Sequence, residues 1–326
     1  MKPVGEIAAA TPAREANLPA VYDLPLLTAR DLVWAAYLFG LRGLERCSDK
    51  AACALLEAGM PLYRRMALAR EPEIKKLLAG VFGSELEPAE LDAVTRRYVS
   101  NFAGRLADDL MLERSDKGLR CRSFSGREHL DEALAAGRGV VLVSLHSYAG
   151  RAAKRYLASI GYPVTTPRKR KVRYCRTESR LGNRFVLPTY ERFMQRLIPD
   201  TVYIDDPDCS LEILRRLRGG GIVDIHLDVP HASDVIELPF FGRVIGVPFG
   251  AIQLARVAAC PVLPMSVSGR ADALEIWVDS PVELDHDLPL RELCEARLPV
   301  ILRILEERVR ERPDAWEPWS VMRELA

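Results

Sequence analysis

The sequence predicts an α/β domain with a largely parallel sheet flanked by helices, preceded by an N-terminal helical subdomain. Three observations carry this. From about residue 117 onward, short β-branched runs alternate with stretches of helical periodicity, the pattern that strand-helix-strand units leave in a sequence. Before that point apolar residues recur at helical spacing. The scale is sufficient: 326 residues with 48% hydrophobic content can bury a full core and carry a helical extension. The expected division is a flexible lead-in over 1–20, a helical arm over 21–116 and the α/β unit over 117–326.

Within the arm, Leu55, Leu56, Leu62 and Met66, and then Leu91, Val94, Tyr98, Phe102, Leu106 and Leu110, repeat at helical spacing. Gly59-Met60-Pro61 and the stretch 80–88 punctuate them, with Ser84, Glu87 and Pro88 supplying helix-start chemistry. The earliest apolar run, 32–41, is half as long as the roughly 20 residues a spanning helix needs. Its Trp34, Tyr37 and Phe39 suit either a buried helix or one lying at a membrane interface. In the α/β unit, strands are expected at 140–143, 202–204, 222–225, 262–267 and 274–278. Helices are expected at 152–160, 211–218, 251–258 and 298–310.

A formal net charge of +1 gives no overall field for nucleic acid, so attraction to anions has to come from local clustering. Such a cluster exists. Between Ala133 and Thr177 there is no acidic residue, but there are ten basic ones, among them Arg151, Arg168, Lys169 and Arg170. A charge run of this kind is either a solvated face or a seat for phosphate, an acidic carrier protein or anionic lipid. Near an anionic membrane each such side chain is worth about 1 kcal/mol. The seven cysteines are scattered without paired spacings, as expected of reduced thiols, and residues 1–20 lack the charge and apolar pattern of a signal peptide.

His146 stands at the carboxyl end of the strand expected at 140–143, where α/β sheets bind ligands. An imidazole held there can act as general base towards a hydroxyl. His226-x-Asp228-x-x-His231 holds metal-type ligands, but alternation along one strand end does not by itself bring three together, and no metal is expected. Serines 144 and 147 flank His146 without the Gly-x-Ser-x-Gly turn of a serine hydrolase. The triple glycine at 219–221 precedes a strand, unlike a nucleotide fingerprint.

Six segments, in order, resemble the lipid A biosynthesis acyltransferases of the glycerolipid acyltransferase superfamily. They are Gly137-Arg138-Gly139 leading through Val140 to His146, and Gly219-Gly220-Gly221 leading through Ile222 to Asp228. Pro239-Phe240-Phe241-Gly242, Val247-Pro248-Phe249-Gly250, Cys260-Pro261-Val262-Leu263-Pro264 and the tail from Arg312 to Trp319 follow. The resemblance implies transfer of a fatty acyl group from acyl carrier protein or coenzyme A to a hydroxyl of a lipid-like acceptor, without metal or redox cofactor. It also implies a peripheral position on the cytoplasmic face of the inner membrane. His146 would be the base, Arg196 an active-site arginine, and Phe240, Phe241 and Gly250 parts of an acyl channel. Arg151, Arg168 and Lys169 are candidates for holding anionic groups.

One departure stands out. The family places Asp or Glu five positions after the histidine, and this chain has Arg151. A guanidinium beside the ring would lower its pKa and leave a poorly supported base. Asp228, at the neighbouring strand end, is the expected substitute carboxylate, with Asp224 second because its place inside the strand suggests another direction. The competing expectation is a catalytically impaired relative that binds acyl chains or carrier protein, or one acting on a different acceptor.

Overall fold

The computed structural model describes residues 25–28, 51, 71–83, 85–170, 179–228 and 234–321. The lead-in at 1–20, the run at 32–41, Ser84, His231 and the basic residues at 171–176 lie outside them. Two helices open the described chain, α1 (Glu71–Phe82) and α2 (Pro88–Arg114). The start of α2 follows its chemistry: Pro88 sits in the first turn, and the Glu90 carboxylate accepts the Glu87 backbone N–H at 3.2 Å.

The α/β part runs β1 (Cys121–Ser125), α3 (Arg127–Ala135), β2 (Val140–Ser144), α4 (Gly150–Ser159), β3 (Val164–Arg168), α5 (Leu187–Leu197), β4 (Thr201–Tyr203), α6 (Cys209–Arg218) and β5 (Ile222–His226). There follow the hairpin β6 (Val235–Phe240) and β7 (Arg243–Pro248), then α7 (Gly250–Ala258), β8 (Val262–Arg270), β9 (Ala273–Val278) and α8 (Leu290–Glu311). Seven strands form one sheet in the order β1-β9-β8-β2-β5-β3-β4. All neighbours are parallel except β8 and β9. The sheet is therefore mostly parallel with helices on both faces, as the alternation predicts.

Period-two alternation divides the core. Val141, Val143 and Val223 face one apolar cluster with α7 and α8, while Val140, Leu142 and Ile222 face the other with α4 and α5. Helix α2 packs against α4, α5 and β8, which brings the arm onto the sheet. Gly139 is required where β2 begins, because a Cβ there would lie 2.3 Å from the Leu217 carbonyl oxygen and 2.6 Å from that of Gly221.

The Phe-Phe-Gly segment proves to be a hairpin tip. Phe240 pairs with Arg243 across β6 and β7, and Phe241 (φ 49°) and Gly242 (φ 70°) form the intervening two-residue turn. A left-handed phenylalanine costs roughly 1–2 kcal/mol. Burial offsets it, since the Phe241 ring packs on Trp316, Trp319 and Phe82 at centroid distances of 5.9, 5.2 and 5.7 Å.

Candidate active site

The site is built by strand register. Strands β2 and β5 are parallel neighbours with Ser144 opposite His226, and the Leu227 N–H still reaches the Ser144 carbonyl at 3.0 Å. His146 and Asp228, each two residues further on, therefore arrive side by side at adjacent strand ends. His146 Nδ1 lies 2.7 Å from Asp228 Oδ1, and the His146 backbone N–H donates to Oδ2 at 2.8 Å. The buried indole of Trp316 donates to the same Oδ2 at 2.9 Å. Three contacts fix a carboxylate with no exposed side-chain surface against an imidazole that keeps 39% of its own.

The electrostatics follow from this contact. Burial pushes the His146 imidazole down, but the Asp228 carboxylate more than offsets it, and the pKa stands above the ordinary value. Burial pushes Asp228 up, yet His146 and Trp316 hold its carboxyl below the usual carboxylate value. With Nδ1–H given to Asp228, the Nε2 lone pair is left for a substrate proton. A small cleft beside the ring is lined by Leu145, Val267, Trp277, Val309, Arg312 and Trp316, among others.

A second constellation lies behind the first. Asp224 and His226 alternate on the same face as Asp228. Ser144 Oγ donates to Asp224 Oδ1 at 2.6 Å, while Lys154 Nζ of α4 and His226 Nε2 stand 2.8 and 3.2 Å from Oδ2. The His146 and His226 rings meet edge to face at 4.1 Å between centroids. Burial, reinforced by His146 and Lys154, pushes the His226 pKa below normal. Asp224 stays well below the carboxylate range, Lys154 and His226 overcoming its burial. Asp224 thus shares the site's face but belongs to Lys154, not to His146.

The structure places most of the other expected site residues in ion pairs or in the core. Arg151 does not depress His146: its guanidinium is ion-paired with the buried Asp109 of α2, so its charge is spent there. Arg168 pairs with Glu191 and lies 4.9 Å from the Tyr203 ring centroid, with Lys169 the next residue beyond the β3 end. Arg155 and Arg170 likewise meet Asp116, Asp205 and Asp206. Among the described residues, Arg151, Lys154, Arg155, Arg168 and Arg170 of this run are thus paired with acids from other segments. Arg196 ends α5, which leads back to the start of β4, and pairs with Glu113. It is away from the strand ends that carry His146. Phe240 and Phe241 are core residues, 0% and 6% exposed, that pack against Trp316. Gly250 opens α7 with open space beside it.

The tail supplies what the sequence reading lacked. The Glu317 N–H donates to the His146 carbonyl at 3.0 Å, and Ser147 bridges Trp316. Helix α2 clamps this tail: Tyr98 donates to the Glu317 carbonyl at 2.7 Å, Asn101 to Asp314 at 2.9 Å, and Arg105 forms an ion pair with Glu317. A tryptophan-rich tail after an arginine was legible, but its contact with Asp228 was not.

The family profile of bacterial lipid A biosynthesis acyltransferases matches residues 25–319. The chain belongs to this family. Among curated proteins no sequence matches it. As a lipid A-type acyltransferase it is an acyl-transferring enzyme. Arg151, where the resemblance leads one to expect an acid, is turned to Asp109, while the Asp228 carboxylate of the next strand reaches the His146 imidazole. Among the described residues no helix is long and apolar enough to cross a membrane. Trp316→Phe is expected to destabilise the acyltransferase by about 1.5–3 kcal/mol from the lost charged hydrogen bond alone, read by chemical denaturation.

Proposed function

We propose that this acyltransferase moves a fatty acyl group from a thioester, carried by acyl carrier protein or coenzyme A, to a hydroxyl of a lipid-like acceptor. His146 is the general base. Its Nε2 takes the hydroxyl proton as the oxygen attacks the thioester carbonyl. The tetrahedral intermediate collapses with cleavage of the C–S bond, and the imidazolium returns the proton to the leaving thiolate. Asp228 orients the ring and stabilises its charged form.

The observation that carries this reading is the 2.7 Å contact of a buried carboxylate with a partly exposed imidazole at neighbouring strand ends. It favours an active enzyme over an impaired relative, since β5 brings a carboxylate to the imidazole. Peripheral attachment to the cytoplasmic face of the inner membrane suits the lipid acceptor.

The purified enzyme, given radiolabelled acyl thioesters and crude lipid acceptors, is expected to release free thiol in step with labelled ester. Absence of ester from both carrier-protein and coenzyme A donors, across a range of chain lengths, would overturn the proposal.

A further inference from the structure

We propose that His146, His226 and Asp228 form a site for a divalent transition-metal ion of the zinc class, and that its occupation switches the base off. Each of the three residues offers one ligand atom, and these atoms all lie within 4.8 Å of one another. Two imidazoles and a carboxylate are a donor set that zinc accepts, with solvent completing a tetrahedron. They come from two adjacent strand ends, so the register that brings the base to its acid also brings the third ligand.

The surroundings fit a metal more closely than a chance cluster would. His226 Nε2 is 3.2 Å from the Asp224 carboxylate, the arrangement in which an outer carboxylate fixes a ligand histidine. Lys154 lies 3.4 Å from His226 Nε2, and its charge is balanced by Asp224 at 2.8 Å.

Occupation would remove the base whichever nitrogen of His146 is used. An ion at Nε2 takes the lone pair itself. An ion at Nδ1 displaces the hydrogen shared with Asp228, so the neutral ring carries its hydrogen on Nε2 and accepts none there. Binding stands on the ligand geometry alone, whereas the switch rests on the role proposed for His146.

The test is titration of the chelator-dialysed full chain with zinc by calorimetry and with cobalt by visible absorption. Expected are one ion per chain and the ligand-field bands of a low-coordinate cobalt centre. His226→Gln is expected to abolish both, and Asp224→Asn to weaken zinc roughly 10–100-fold. No stoichiometric uptake, or uptake unchanged in His226→Gln, would overturn the site. Should that variant not fold, X-ray absorption of the zinc-loaded wild type decides, and fewer than two imidazole ligands sinks the assignment. In the acyl-transfer assay zinc is expected to inhibit and chelation to restore. Uptake without inhibition refutes the switch and the His146 base while the ion site stands; absence of uptake refutes the site and leaves the base untouched.

Discussion

Replacing His146 by alanine is expected to lower kcat for acyl transfer by roughly 10²–10⁴-fold, the range supplied by a positioned general base. Asp228→Asn carries the sharper information. Burial pushes the imidazole of His146 down and Asp228 pulls it above its ordinary value, and the active form is the neutral ring. The rate of the wild type should therefore rise with pH through a pKa above the ordinary histidine value. Removing the carboxylate takes away the main upward pull and leaves burial and Lys154, which lower the pKa, against Glu317, which raises it. The inflection of kcat/KM should move to lower pH while the plateau falls, because the ring is unheld and its cation unsupported. A merely structural role for Asp228 would lower the plateau without moving the inflection, and that result in a pH-rate profile would sink the pairing.

The architecture was legible where local signals were strong. The run at 140–143 and the triple glycine before 222 announced two central strands, and the observed β2 and β5 extend them by a single residue each. Their parallel pairing then carried His146 to Asp228. Weaker strands escaped. Strand β3 includes Thr165, Thr166, Pro167 and Arg168, which reads as polar linker, and β1 has only partly buried or exposed residues, so neither shows the apolar pattern on which the reading depends. The hairpin β6 and β7 was hidden because its tip is Phe241-Gly242, not a polar turn pair. Charge was the least legible property: Arg151, Arg168 and Arg170 looked unopposed because their partners Asp109, Glu191, Asp205 and Asp206 come from other parts of the chain.

Arg151 gives the second large effect, and in the direction opposite to simple repair of the family motif. A carboxylate at this position would restore the expected spacing from His146, and a crippled site should then be activated. The structure argues otherwise. Arg151 is ion-paired with Asp109, whose side chain is 6% exposed, and burial raises the Asp109 pKa against the pull of Arg151 and Arg105. Arg151→Glu would place two carboxylates together on the surface by which α2 meets α4. Breaking a buried pair costs about 3–5 kcal/mol. The variant is expected to lose that much stability in chemical denaturation and, because α2 clamps the tail that carries Trp316, to lose activity as well. Asp109→Arg added to Arg151→Glu should recover part of both, through a coupling energy on the order of 0.5–3 kcal/mol. Activation by Arg151→Glu alone would show that the fifth-position acid is still wanted, and that Asp228 does not replace it.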